Sequence, residues 1–321
     1  MSEQPARKVA VVAIGGNSLI KGDHQSVEDQ YEAAKETTLH IAEMIEAGWD
    51  VAIGHGNGPQ VGFILRRSEI AHKVEGMHEV PLDVCGADSQ GAIGYALQQT
   101  LQNWLFRRGI RKNVATVVTQ VLVDRDDPAF QNPTKPIGGF MEEDEARRRE
   151  TTMGWSVVED AGRGWRRVVA SPLPKEVVEL DTVKALLDAG VVVITVGGGG
   201  IPVIDGGGGE YRGTAAVIDK DYASSLLAQS IGADLFLIST AVEKVALDYG
   251  KPEQRWLDRM TVSEAKRYLV EGGHFLKGSM APKIEAIVWY MEAGGKHAII
   301  TTPENIARAL RGETGTHIVP D

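Results

Sequence analysis

Three clusters of glycine, each placed where an apolar, β-branched run stops, constrain this chain more than any other feature. Lys8–Ile14 (KVAVVAI) ends at Gly15-Gly16-Asn17, residues 50–53 enter Gly54-His55-Gly56-Asn57-Gly58-Pro59, and residues 191–196 end at Gly197-Gly198-Gly199-Gly200. Short continuous apolar runs of this kind read as strands buried on both faces, the pattern of a mostly parallel sheet. In open sheets of that type the ligand crevice lies outside the carboxyl ends of the strands. Glycine lets the backbone adopt positive φ and approach a ligand closely, so its N–H groups can face phosphate or carboxylate oxygens. One such loop would be an ordinary βα turn; three at one sheet edge favour an anion site. The 37 glycines are gathered in such clusters, which is neither a linker nor a collagen pattern.

Around these loops the chain alternates. Helices are expected over residues 26–46, 60–71 and 88–107, followed by one strand over 114–123. The alternation breaks over 124–174, which is dense in charge and proline. Only one hairpin is legible there, residues 155–158 and 165–170 flanking Ala161-Gly162-Arg163-Gly164, and the segment reads as a projecting insertion. Helix 175–188, strand 191–196, helix 219–230 and strand 235–239 then follow. Thr261 and Glu264 have capping-box spacing, residues 280–292 read as a helix and 297–300 as a strand, and Thr302-Pro303 opens the last helix. The expected fold class is α/β: a three-layer αβα sandwich with a mostly parallel sheet and a small protruding lid subdomain.

Several functions are excluded. A net charge of −10 opposes a nucleic-acid partner, although a local basic cleft remains compatible with it. Cys85 is the single cysteine, so no intrachain disulfide can form. The apolar runs are too short to span a bilayer and the N-terminus lacks an apolar signal core, so the expected location is the cytoplasm, with no membrane partner. No P-loop is present, since Gly278 is followed by serine without an intervening lysine; G-x-G-x-x-G, H-E-x-x-H and G-x-S-x-G are also missing.

Phosphoryl transfer at such an anion site needs positive groups around the equatorial oxygens rather than covalent help. Lys135 lies between Pro133 and Pro136, Lys220 between Asp219 and Asp221 at a helix start, and Lys283 after Pro282 at another helix start. A lysine at a helix N-terminus opposes the macrodipole by a few tenths of a kcal/mol (about 0.3–1), so function can explain its presence. Asp221 is placed to orient Lys220 and Lys283, or to reach a magnesium ion through water.

These motifs resemble the amino acid kinase family over nearly the full length, and within it the branch that acts on carbamate. The resemblance rests on A-I-G-G-N (13–17), G-H-G-N-G-P-Q (54–60), S-Q-G-A-I-G-Y (89–95), N-P-T-K-P-I-G (132–138) and E-D-A-G-R-G-W-R-R-V-V (159–169). It continues through G-G-G-G-I-P-V (197–203), A-V-I-D-K-D (216–221) and G-S-M-A-P-K-I-E-A (278–286). Many family members carry a phosphate-binding lysine where this chain has Ala13; in proteins similar to the carbamate branch Lys220 replaces that charge.

The resemblance implies ATP + carbamate ⇌ ADP + carbamoyl phosphate, with magnesium, in a cytoplasmic homodimer that makes ATP from carbamoyl phosphate. It implies one domain over 1–321: residues 1–123 with 171–190 as the substrate half, 124–170 as a lid bringing in Lys135, and 191–321 as the nucleotide half. Lys220 and Lys283 would stabilise the transferring phosphoryl and Asp221 would organise them. Gly15, Gly16, Asn17, Gly56, Asn57 and Gly58 would hold the substrate, the glycines and Asn57 through their backbone. Gly197, Gly198, Gly199, Gly200, Thr240, Val242, Tyr249 and Met280 would hold the nucleotide. Ser18 and Lys277 depart from the branch pattern, leaving open another small acid as acceptor; a non-catalytic nucleotide sensor is the remaining alternative.

Overall fold

The computed structural model of the chain describes residues 7–15, 26–160, 162, 164–275 and 278–321. Gly16, Asn17, Ser18, Ala161, Arg163 and Lys277 lie outside the described residues. The chain begins with β1 (Lys8–Ile14), α1 (Val27–Glu46), β2 (Trp49–His55), α2 (Gly58–Glu75), α3 (Leu82–Arg107) and β3 (Val114–Thr116). Ser26 starts α1 through a capping box, its hydroxyl accepting from the Asp29 amide at 3.1 Å and its own amide donating to the Asp29 carboxylate at 3.2 Å. Two orphan amides are satisfied reciprocally.

Residues 114–123, expected as one strand, are two. After β3 the chain leaves the main sheet, and β4 (Gln120–Val123) joins a second one. The break is held by Gln90 of α3. Its side-chain amide accepts from the Thr119 N–H at 2.8 Å and donates to the Thr119 carbonyl at 3.0 Å, replacing a strand partner.

The insertion is a small three-stranded antiparallel sheet with a helix: β5 (Lys135–Met141), α4 (Glu143–Met153), β6 (Ser156–Glu159) and β7 (Trp165–Val169), in the order β5-β7-β6. The β6–β7 hairpin follows the sequence expectation, whereas β5 and α4 were not foreseen. Only Ala146 of α4 is buried, so this helix has no apolar stripe to announce it. Residues 175–188, expected as one helix, divide into β8 (Pro174–Val177), antiparallel to β4, and α5 (Leu180–Asp188).

β9 (Val192–Ile194), β10 (Ile201–Gly207), β11 (Glu210–Gly213), α6 (Lys220–Ser230), β12 (Leu235–Ser239), β13 (Val245–Leu247), β14 (Arg255–Leu257) and β15 (Arg259–Thr261) follow. The chain ends with α7 (Val262–Glu271), α8 (Ala281–Glu292), β16 (Ala298–Thr301), α9 (Ile306–Leu310) and β17 (Thr316–Val319). The Thr261–Glu264 capping box forms at the start of α7.

The eight-stranded sheet has the order β15-β17-β16-β12-β1-β2-β9-β3, parallel except for β16–β17. β9 is bonded between β2 and β3. A strand that follows the division drawn at residue 190 thus lies among strands that precede it. Side-chain alternation sends Val12, Ile14, Val51 and Ile53 against α1, α3 and α9 on one face. It sends Val11, Ala13, Ala52 and Phe236 against α5, α6, α7 and α8 on the other. Each fully buried Ile or Leu in these layers contributes about 1.5–3 kcal/mol. No helix among the described residues is long and apolar enough to cross a membrane.

Candidate active site

The parallel strands deliver a row of residues to one edge of the sheet. Ile14 of β1 lies in register with His55 of β2 and Ser239 of β12, and Ser239 with Thr301 of β16. His55, Ser239 and Thr301 are fully buried. The His55 Nδ1–H donates to the Gly56 carbonyl at 3.1 Å, and burial pushes the imidazole down to about 4, so it is neutral at pH 7.

The loops above this row are more occupied than the sequence suggested. The Gly15 amide donates to the Ser239 carbonyl at 3.1 Å and the Gly56 amide to the Ile14 carbonyl at 3.0 Å. These two N–H groups, expected to cradle substrate oxygens, are engaged in extending the sheet. Asn57 and Gly58 differ, for they open α2. Asn57 is the N-cap without capping through its side chain, which turns inward and donates to Ser89 Oγ at 2.8 Å. In the first turn of this 18-residue helix Pro59 has no N–H and the Val61 amide donates to the Asn57 carbonyl at 2.9 Å, which leaves the Gly58 and Gln60 amides for an anion.

Gly197–Gly199 form a short 3-10 turn, and all four glycines through Gly200 are buried. Gly198 has φ +66°, and a Cβ there would lie 2.2 Å from Asn57 Nδ2. The glycines let this turn pack beneath the Asn57 loop, a structural reason for glycine that the sequence did not separate from nucleotide contact.

The lysines converge. Asp219 caps α6, its Oδ1 accepting from the Asp221 N–H at 2.9 Å. Lys220 and Asp221 occupy the first turn, 8% and 2% exposed. Lys220 Nζ lies 2.5 Å from Asp221 Oδ1, and Lys283 Nζ, from the first turn of α8, lies 3.0 Å from Asp221 Oδ2. One carboxylate therefore bridges two ammonium groups, that of its neighbour Lys220 and that of Lys283, 62 residues along the chain from Asp221. Lys135, at the start of β5, pairs with Asp219. All four predicted catalytic residues meet here; Asp219 was missed, because an aspartate before a helix reads equally well as a cap.

Burial lowers Lys220 and, with repulsion from Lys283 beside it, outweighs the attraction of Asp221 and Asp219. Burial acts on Lys283 in the same sense, but Asp221 and Asp219 outweigh it and raise that lysine. Burial would raise both aspartates; Lys220 and Lys283 hold Asp221 below the usual carboxylate range, and Lys135 and Lys220 do so for Asp219. Three lysines against two carboxylates leave a net positive site.

A second cleft, about 220 Å³, lies beside α8 and is lined by Val242, Tyr249, Trp256, Phe275 and Met280, with Lys244 at its side. Tyr249 and Trp256 meet edge to face with centroids 6.3 Å apart. Flat apolar walls with a nearby cation suit a planar base. Met280 precedes α8 and Lys283 is in its first turn, so one helix start joins the cleft to the lysine cluster. Val242, Tyr249 and Met280 are thus brought together. Thr240 and the Gly197–Gly200 turn do not line the cleft; the Thr240 amide instead donates to the Thr301 carbonyl at 2.9 Å. Trp256 and Phe275 were not foreseen, having no motif around them.

The amino acid kinase family model matches residues 8–302. The chain belongs to the amino acid kinase family. It is 53% identical to the carbamate kinase-like protein YahI of Escherichia coli, covering 98% of this chain and 99% of that one. It is 48% identical to the carbamate kinase of Thermococcus kodakarensis over 97% and 99% of the two chains. Among solved structures, the carbamate kinase of Giardia lamblia bound to AMP-PNP superimposes with a TM-score of 0.89 at 42% identity, covering 98% of this chain and 99% of that one. The α/β sandwich and its mostly parallel sheet are those of the family.

Proposed function

We propose that the chain transfers a phosphoryl group reversibly between ATP and carbamate. The observation that carries this reading is the single carboxylate of Asp221 holding Lys220 and Lys283 together between a base-sized cleft and the α2 N-terminus. Buried ammonium groups fixed before the reaction stabilise charge on the transferring phosphoryl at little reorganisation cost. The Giardia relative holds an ATP analogue, which supports a nucleotide in the cleft of this chain.

In this reading the base packs on Tyr249, Trp256 and Met280, and the phosphates run along the start of α8 to Lys220 and Lys283. The acceptor rests on the Asn57–Gly58 helix start, and Lys135 meets its oxygens from the lid. Carbamate presents an oxygen that is already anionic, so no general base has to remove a proton. Neutral His55, bonded to its own loop, is consistent with that. Among the described residues no group of three His, Cys, Asp or Glu is arranged to hold a metal, and Asp219 and Asp221 are both ion-paired. Magnesium would therefore arrive on the nucleotide, where it neutralises phosphate charge. A homodimer is part of the proposal, supported by Tyr95 and Phe106 exposed on α3; light scattering tests it. A cytoplasmic location is also proposed.

Coupled measurement of ADP formation with carbamate, and of ATP formation from carbamoyl phosphate, tests the reading. Turnover with another small acid but none with carbamate would replace it by the second reading, an acid kinase of the same fold. The name of the Escherichia coli relative, which says only carbamate kinase-like, favours keeping that second reading in the assay.

A further inference from the structure

We propose that Asp219 is a positioning residue that fixes the lid lysine, Lys135, over the phosphoryl site. The inference rests on the phosphotransferase reading above and assigns a task to a carboxylate which that reading leaves without one.

Asp219 is oriented at one oxygen by its own helix. Oδ1 accepts from the Asp221 amide at 2.9 Å, as an N-cap does, and this directs Oδ2 to Lys135. The two partners are 84 residues apart and belong to different substructures, the lid and the main body. A backbone path fixes their separation. Lys135 is paired with Val169 across β5 and β7, the next residue, Ala170, bridges Ala216, and the Val217 amide donates to the Ala170 carbonyl at 2.9 Å. Asp219 follows two residues later.

The lid is also seated on α2 away from the cluster. A Cβ on Gly62 would lie 2.1 Å from the Gly138 Cα, so the two backbones touch directly, and Arg167 of β7 pairs with Glu69 of α2 at 3.3 Å. The seat brings Lys135 near the site, and Asp219 then selects where the ammonium points. An ammonium has three N–H donors. Asp219 takes one and leaves two for acceptor oxygens, while its charge offsets repulsion from Lys220 and Lys283. Without that carboxylate Lys135 would be pushed away from two like charges before substrate arrived.

Asp219→Asn tests this, since asparagine caps helices as well as aspartate but carries no charge. Asp219→Ser, another good cap, serves as the second variant, and thermal melts establish that each folds. Lys135→Ala and the Lys135→Ala/Asp219→Asn double variant complete a cycle. Misplacing a reacting group by about 1 Å costs on the order of 100-fold, and we expect Asp219→Asn to lower kcat by up to that factor with the nucleotide KM kept within about twofold. The double variant is expected to be no slower than Lys135→Ala alone. Wild-type kcat in Asp219→Asn, or losses that multiply in the double variant, would overturn the proposal.

Amide exchange of lid residues 135–141 and 165–169 gives a readout independent of turnover. Asp219→Asn and Lys135→Ala are expected to lower protection there to the same extent, and the double variant no further. Unchanged protection in Asp219→Asn would likewise overturn the latch. Loss of protection in a wild-type background that fails to use carbamate would instead reject the substrate reading and leave the latch standing.

Discussion

Two stretches of this molecule are equally crowded with charge and use it in opposite ways. In α4 of the lid, Glu143, Glu145, Arg147, Arg148 and Glu150 pair with neighbours three or four residues away, and most of these side chains stand open to water. At the start of α6, Lys220 and Asp221 are almost fully buried, and Lys283 and Lys135, which pair with Asp221 and Asp219, come from other elements. Pairs of the first kind form wherever a helix forms and are worth little. Pairs of the second kind carry a desolvation cost that packing alone does not require. That cost is the mark of a site where charge does chemistry.

The largest test of the contrast is Lys220→Ala. Removing a preorganised cation from the transferring phosphoryl is expected to lower kcat by on the order of 1,000-fold or more, with nucleotide affinity largely kept. Steady-state kinetics with a separate nucleotide titration measures this. Unchanged kcat would remove Lys220 from the mechanism and reduce the α6 cluster to an ion pair like those of α4.

The contrast also explains what the sequence revealed. Strands β1 and β2 were legible because both of their faces are buried, leaving unbroken apolar runs. The α7 capping box was legible because its two residues are local. Lys220 and Lys283 were legible because a lysine at a helix start is locally out of place, and Asp221 because it adjoins Lys220. Asp219 was not, since its partner lies 84 residues away. The break between β3 and β4 depends on one side chain of α3, Gln90, and the insertion of β9 between β2 and β3 is a matter of sheet order. Neither leaves a periodic trace.

A buried group without charge sharpens the comparison from the other side. His55 remains neutral in the folded protein down to about pH 4, whereas an unfolded histidine takes up a proton near pH 6.5. Its contribution is therefore fully present above pH 6.5 and is lost as pH falls through that window, amounting to about 3 kcal/mol. Denaturant unfolding of the wild type and His55→Asn at pH 7 and pH 4.5 isolates it. His297, which burial also pushes down to about 4, is common to both proteins and cancels. Equal pH slopes in the two proteins would show that His55 is hydrated.

Packing beneath the site should respond next. Gly198→Ala places a methyl group against Asn57 at a positive φ, with an expected loss of about 2 kcal/mol and a higher acceptor KM as the α2 start shifts. Gly48→Ala is the control, because φ is also positive there but nothing lies within 4 Å. Only the backbone strain remains, about 1 kcal/mol. Equal losses at the two positions would mean that the glycine turn does not pack on Asn57.

The smallest effect belongs to α4, and there the contrast can be drawn within one helix. Arg148 donates to Glu145 at 2.8 and 2.7 Å, better geometry than many buried pairs have, yet its side chain is 61% exposed. Arg149 reaches the same carboxylate at 2.6 Å but is 15% exposed and lies over the Trp155 ring, 4.8 Å from its centroid. If ion pairing were what mattered, losing either arginine would have the same consequence. If burial decides, Arg148→Ala leaves the melting temperature and kcat unchanged, while Arg149→Ala strips a cation from an aromatic face, lowers the melting temperature and loosens the lid seat. High salt should then leave the difference between the two variants intact, because screening weakens exposed pairs and spares stacked, desolvated ones. A difference that vanishes with salt would place the lid helix and the α6 cluster under the same rule after all.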